Sequence, residues 1–302
     1  MKSFPAIEQP VFGTASALAA GLTPSQLRGP SVARLLRGAY MKPADAVGLD
    51  MRARAALLVG GETARLCEIS SLALAGVELP AGFEEDSRVH VHLPVGTCGP
   101  RHMGVRVHHT ALQLPAQTVG GLPSLHLAEC WLQLAARASL LDLVVVGDGL
   151  MRRPRPPDNK PFLVSPTELA AAVQASPRRP GVRVAREAAM MIRSGTDSPM
   201  ESVTRFRLVK AGLPQPSVNY PILDDTGWPI FFLDMAYLAQ LVAVEYDGRV
   251  HVGDVRRMER DAYRRRRLED LGWRLITVTA ADLADNMAGV IASVRHELDI
   301  RG

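Results

Sequence analysis

The chain has 302 residues, 47% of them hydrophobic and 22% charged, which is enough to bury more than one core and excludes a disordered or coiled-coil protein. Lys and Arg number 35 against 31 Asp and Glu, and the resulting +4 is too small to mark a nucleic-acid binder by bulk charge. The longest apolar stretch, 229–244, is interrupted by Asp234 and Gln240, short of the ~18 apolar residues a membrane span needs, so no membrane role is expected.

Three scattered cysteines, Cys67, Cys98 and Cys130, suit neither a disulfide framework nor a zinc knuckle and fit a reducing compartment. The first residues lack the apolar run of a secretory signal, so a soluble cytoplasmic protein is expected. Charge is distributed in blocks: net +4 over 1–60, −4 over 61–150, +6 over 151–195 and −2 over 196–302. Basic blocks point to nucleic acid and acidic ones to a metal.

In the first block, Thr14 opens a helix that Gly21 ends, and Thr23-Pro24 caps a second short helix through Gln26 and Arg28. Residues 31–40, with Arg34 and Arg37, form a third helix or a hairpin-like wing. This order is that of a helix-turn-helix; a helical mini-bundle with solvated arginines is the competing reading. The block 61–150 mixes strands (88–93 and 105–109) with a helix over 125–138, and 144–149 reads as a buried strand ending in a turn. His90 and His92 share a strand face and, with His102, His108 and His109, suggest a metal. No carboxylate or Cys lies at ligand spacing, and the site is set aside. A proline-rich connector from Met151 leads to helices over 166–175 and 182–192, which either touch a phosphate backbone or form a solvated face.

In the last block Ser198 caps a helix with Pro199 in its first turn and Glu201 three residues after the cap. Strands are expected over 218–222, 229–234, 241–247 and 273–278, an Arg-rich helix over 255–271, and a final helix from Ala280. A hairpin centred on Ala239-Gln240 places Asp234 opposite Glu245, about 5 Å apart on one face, with Asp247 on the same side. Three carboxylates at a strand end repel one another unless a cation sits among them. Oxygen ligands suit Mg²⁺ or Mn²⁺, whose chemistry is that of phosphodiester hydrolysis, and His251 is spaced to shuttle a proton. Acids at a strand end and turn, with Glu201 simply a helix cap, are the plainer reading. On its helix the run Arg264–Arg267 spreads around the axis; some members pair with neighbouring acids, and Arg264 is the candidate to hold a phosphate.

Several spaced motifs carry a resemblance: 198–207, 211–216, 233–236, the Glu-Tyr-Asp-Gly-Arg-Val-His run at 245–251, and Leu271-Gly-Trp273. In order, they resemble the very-short-patch-repair-like nuclease domain of the PD-(D/E)xK, restriction-endonuclease-like superfamily. The resemblance implies that Asp234 and Glu245 bind the metal and that Glu201 is the acid from the first helix. The superfamily's lysine is Asp247 here; whether Asp247 binds metal, orients His251 or does neither is open. Gly21-Leu-Thr-Pro-Ser-Gln-Leu-Arg28 and Leu36-Arg-Gly-Ala-Tyr40 are similar to the winged helix of AbiEi-family antitoxins, which implies operator DNA and a nucleotidyltransferase toxin as partners.

The expected architecture is therefore multidomain α+β: a winged helix-turn-helix (1–60), an α/β adapter (61–150), a basic helical linker (151–195), and an α/β restriction-endonuclease-like mixed sheet flanked by helices (196–302). The expected function is a Mg²⁺-dependent DNA endonuclease. Gln26, Arg28, Arg34, Arg37, Arg205 and Arg264 are the expected DNA contacts, and a homodimer is one possibility the resemblance carries. The alternative is a non-enzymatic antitoxin-type regulator.

Overall fold

The computed structural model describes residues 7–43, 46–152, 163–248 and 255–302. The fold is mixed α+β, with three sheets among the described residues and contacts that divide the chain into two units. One comprises 1–137 and 167–182; the other comprises 138–166 and 183–302. Residues 138–150, expected at the end of the adapter, group with the last part of the chain.

In the first unit β1 (Val11–Gly13) is followed by α1 (Thr14–Ala19), β2 (Ala33–Leu36) and β3 (Ala39–Met41), with sheet order β1-β3-β2. Residues 31–40 thus form a hairpin rather than a third helix. The expected second helix is a single 3-10 turn, Gln26–Arg28. Thr23 Oγ1 accepts the Gln26 N–H at 3.2 Å and Gln26 Oε1 accepts the Thr23 N–H at 2.8 Å, a reciprocal cap. Gly29-Pro30 stops the turn before an α-helix can propagate.

Next come α2 (Leu49–Gly60), β4 (Arg65–Leu66), α3 (Glu68–Leu74), α4 (Ala81–Glu84), β5 (Val89–Pro94), β6 (Val105–Thr110), β7 (Ala116–Val119), β8 (Leu122–Leu125) and α5 (Leu127–Leu134). The five strands are ordered β6-β5-β4-β8-β7. Val89, Val91 and Leu93 of β5 are buried in a core with Ala53, Ala56 and Leu57 of α2.

The second unit starts with α6 (Leu140–Leu150), where a strand is expected from the Val144–Val146 run. Ser139 and Asp142 form a capping box, and nearly every side chain from 143 to 150 is buried. A helix buried on all sides carries no 3.6-residue periodicity, so its sequence reads like an interior strand. The chain passes through α7 (Pro166–Ala175), mostly in the first unit, and α8 (Val182–Met191), as expected. The remaining elements are α9 (Pro199–Lys210), β9 (Ser217–Leu223), β10 (Pro229–Tyr237), β11 (Val242–Asp247), α10 (Val255–Asp270), β12 (Arg274–Thr279), α11 (Ala280–Ala284) and α12 (Ala288–Arg301).

Their sheet runs β12-β11-β10-β9, with β9, β10 and β11 antiparallel and β11 parallel to β12. One core gathers Leu208, Val242, Val244, Val278 and Val294; another gathers Leu233, Ala243, Leu268 and Trp273. Among the described residues no helix is long and apolar enough to cross a membrane.

Gly181 has φ +79, and a Cβ there would lie 1.9 Å from the backbone oxygen of Ala135. Gly181→Ala is expected to cost about 2–4 kcal/mol, combining left-handed strain with an overlap that only backbone movement relieves. Gly21→Ala, with φ +91 but open space around the new methyl, should cost only about 1–2 kcal/mol. Urea midpoints of the two variants check the difference.

Candidate functional site

The sheet of the second unit brings the expected acids together. The pairs Met235↔Val244, Ala236↔Ala243 and Tyr237↔Val242 centre the hairpin between 239 and 240, and continuing that register sets Asp234 against Glu245. The Tyr246 N–H donates to Asp234 Oδ2 at 3.0 Å. Glu201 comes from the first turn of α9, whose N-terminus is set by Ser198: the Ser198 hydroxyl accepts the Glu201 N–H at 3.2 Å. The Glu201 carboxylate accepts from the Ser198 hydroxyl at 2.9 Å and from the Asp197 N–H at 2.7 Å. It is a cap and, at the same time, a charge facing Asp234.

Burial, followed by the charges of Glu201 and Glu245, pushes the Asp234 carboxyl up to about 7. The Tyr246 N–H and Arg264 pull against that rise. Burial also raises Glu245, helped by Glu201 and Asp247 and opposed by Arg264. Asp247, two residues along β11 from Glu245, lies on the same face and is half-buried. His251, the expected proton shuttle, lies outside the described residues.

Arg264 is already engaged within the unit. Its Nη1 donates to Glu245 Oε2 at 2.8 Å, its Nη2 donates to Glu245 Oε1, and Nη2 also donates to the Phe232 carbonyl at 2.6 Å. A two-pronged guanidinium–carboxylate pair of this kind is directional as well as attractive.

The expected DNA contacts divide. Arg28, Arg34 and Arg37 are exposed, whereas Gln26 is half-buried with its carbonyl oxygen committed to the Thr23 cap. Arg205 must be removed from the DNA-contacting set. It is fully buried, and its Nη2 donates to Asp148 Oδ2 at 2.7 Å. Its Nη1 donates to the Met191 carbonyl at 2.8 Å. A guanidinium sealed from solvent by its own core cannot reach a phosphate.

Comparison with known proteins adds sequence relatives. No family model matches the chain. It is similar to two proteins of Mycobacterium tuberculosis, uncharacterized protein MT2308 of strain CDC 1551 / Oshkosh and uncharacterized protein Rv2248 of strain ATCC 25618 / H37Rv. Each is 27% identical over 223 residues, covering 72% of this chain and 77% of the relative.

Among the described residues, the metal-ligating side chains that approach within 4.8 Å of one another are not the three acids but Glu68, His90 and His108 in the first unit. His90 Nδ1 lies 3.1 Å from Glu68 Oε2 and 3.1 Å from His108 Nε2, and His108 Nδ1 lies 3.4 Å from Glu68 Oε1. His90 Nε2 lies 3.2 Å from Asp86 Oδ2, and Arg137 Nη2 donates to Glu68 Oε2 at 2.7 Å. Two of these histidines were singled out in the sequence, but Glu68 was not. It sits 22 residues from His90, on a different element, and no local spacing joins them.

Proposed function

We propose that the second unit hydrolyses DNA phosphodiester bonds with a hard divalent ion, Mg²⁺ or Mn²⁺, and that the basic front of the chain delivers it to DNA. The observation that carries this reading is the set of Asp234, Glu245 and Glu201. In a largely buried position Glu201 raises the proton affinity of both Asp234 and Glu245, and Glu245 raises that of Asp234. Such repulsion is costly to maintain and is relieved by a cation.

The donor set fits the ion: oxygen ligands alone, from Asp234 and Glu245 with Glu201 beside them, favour Mg²⁺ over softer metals. When bound, Mg²⁺ supplies a Lewis acid for a phosphoryl oxygen and activates water for attack. Asp234 and Glu245 would hold and orient the ion through their carboxylate oxygens. Arg264 exchanges its bond to Glu245 for phosphate oxygens, a role suited to a planar guanidinium. Asp247 adds negative charge at the strand end where the superfamily pattern has a lysine.

The test uses the purified full chain with supercoiled, linear and mismatched DNA in Mg²⁺, Mn²⁺ or EDTA. Cleavage is expected only with the divalent ion and is expected to fall at least about 10²-fold in Asp234→Ala, since an ion at the phosphoryl oxygen contributes several kcal/mol.

A second reading rests on the two-pronged hold of Arg264 on Glu245, which already gives that carboxylate a cation. In it the chain is a DNA-binding regulator of the antitoxin type, with a nucleotidyltransferase toxin as partner, and the nuclease-like sheet serves as a scaffold. DNA binding without cleavage under any divalent ion would favour it.

A further inference from the structure

We propose that Glu68, His90 and His108 form a second metal site, in the first unit, that binds one Zn²⁺-class ion through two imidazoles and a carboxylate. Asp86 is held by Arg88 as an ion pair through two hydrogen bonds, at 2.7 Å each, one to each carboxylate oxygen. It is therefore ionised and takes the Nε2–H of His90. In a neutral ring that puts the lone pair of His90 on Nδ1, the nitrogen nearest Glu68 and His108. A carboxylate holding the far nitrogen of an imidazole so that the near one can ligate is the usual support of a metal-bound histidine.

The centre of the cluster does not balance without a cation. Glu68 Oε2 accepts from Arg137 Nη2 at 2.7 Å and also lies 3.1 Å from His90 Nδ1, so this oxygen faces the cluster as an acceptor. A neutral His108 ring carries one proton, on one or the other of its two nitrogens.

If that proton is on Nε2, it bonds His90 Nδ1, and the Nδ1 lone pair of His108 faces Glu68 Oε1 at 3.4 Å. If it is on Nδ1, it bonds Glu68, and two nitrogen lone pairs face each other at 3.1 Å. In either arrangement His90 Nδ1 also meets Glu68 Oε2, acceptor to acceptor, at 3.1 Å. One positive charge resolves every one of these contacts: a metal ion, or a second proton on His90.

Three features favour the metal. One donor atom from each of the three residues lies within 4.8 Å of the other two, and His90 Nδ1 is 3.1 Å from both Glu68 Oε2 and His108 Nε2, close to the spacing of about 3.4 Å between neighbours on a tetrahedral ion with bonds near 2.1 Å. Glu68 is held at φ 46, a left-handed conformation that a non-glycine residue adopts at a cost, at the first position of α3. The site is also open on one side, since the His108 side chain is 23% exposed while His90 is sealed. Mixed nitrogen and oxygen donors select Zn²⁺ or a neighbouring transition ion over Mg²⁺, and three protein ligands leave a fourth position facing solvent. A bound ion would pin α3 to β5 and β6 inside the first unit.

The test uses full-length protein stripped with EDTA and desalted, then titrated with Co²⁺ and back-titrated with Zn²⁺ against a chromophoric chelator. One equivalent of Co²⁺ is expected to give a visible absorption band that Zn²⁺ abolishes. His108→Gln and Glu68→Gln, folded by circular dichroism, should each weaken Zn²⁺ at least about 100-fold, beyond the 10–100-fold typical of outer-shell changes. Asp234→Ala must keep the band, which separates this site from the proposed nuclease centre whatever becomes of that reading. Three results would each overturn the proposal: no band in the wild type, unchanged affinity in both ligand variants, or loss of the band in Asp234→Ala. If the ligand variants fail to fold, the ring ¹⁵N shifts of His90 decide on wild-type protein alone. Two protonated nitrogens at pH 7 that Zn²⁺ leaves unchanged assign the charge to a proton and refute the metal.

Discussion

Arg205→Ala is expected to destabilise the second unit by about 3–5 kcal/mol, the cost of stranding a buried charge whose partner has been removed. Neither side chain of the Arg205–Asp148 pair has exposed surface, so water cannot take the place of the lost guanidinium. Asp148 Oδ1 keeps the Arg193 N–H at 2.8 Å, but Oδ2 loses its 2.7 Å partner.

Burial raises the Asp148 carboxyl above its ordinary value, and Arg205 opposes that rise. Removing Arg205 sends it higher, so the folded state of the variant holds a proton that the unfolded chain releases. The variant should therefore regain stability as pH falls toward the ordinary carboxylate range. Arg205→Met with Asp148→Leu should recover most of the loss, because an apolar pair of similar volume avoids desolvating two charges. Recovery stops short by about 1–3 kcal/mol, since the Arg193 N–H is left without an acceptor. Urea unfolding of the two singles and the double at pH 5 and pH 8 reads all of this. A loss under about 1 kcal/mol in Arg205→Ala would mean that the pair is reached by water.

Asp234→Asn is expected to do the opposite: abolish cleavage while making the protein more stable at pH 8. The carboxyl titrates at about 7 in the folded chain against 3.8 ordinarily. Between those values the native state binds more protons than the unfolded one, so stability declines as pH rises from about 4 to about 7. Three units correspond to at most about 4 kcal/mol, and residual solvation of a side chain that is not fully buried brings the expected gain to about 1–3 kcal/mol. The amide oxygen of Asn can still accept the Tyr246 N–H, so the substitution removes charge without removing that bond. Wild type and variant should coincide near pH 4 and diverge above it. Mg²⁺ or Mn²⁺ should raise the wild-type melting temperature at pH 8 and leave the variant unmoved. Equal stability at pH 8 would show that burial and the charges of Glu201 and Glu245 do not raise Asp234 in the folded chain.

Both predictions concern charges in the second unit, yet only one of the two sites was legible beforehand. The facing of Asp234 and Glu245 follows from a hairpin centre and the two-residue period of a strand, both of which lie within about a dozen residues. The Ser198 cap and its Glu201 are likewise local, as is the Thr23–Gln26 cap.

Arg205 was expected at DNA, since no residue close to it in sequence marks it as buried. Its partner is 57 positions away, on a segment expected to be a strand. That segment, α6, lost its helical signature through complete burial. Arg264 read as a spare cation and instead closes on Glu245 across 19 residues. Glu68 had no signature at all until α3 was laid beside β5 and β6.

The sequence determined what short-range periodicity, capping and turn symmetry can encode: most elements of the chain, its mixed α+β character, and the pairing of two acids. The tertiary structure decided which charges are sealed, which are paired and which imidazoles share a carboxylate. Burial and long-range proximity depend on where distant segments pack, and no spacing along the chain records that.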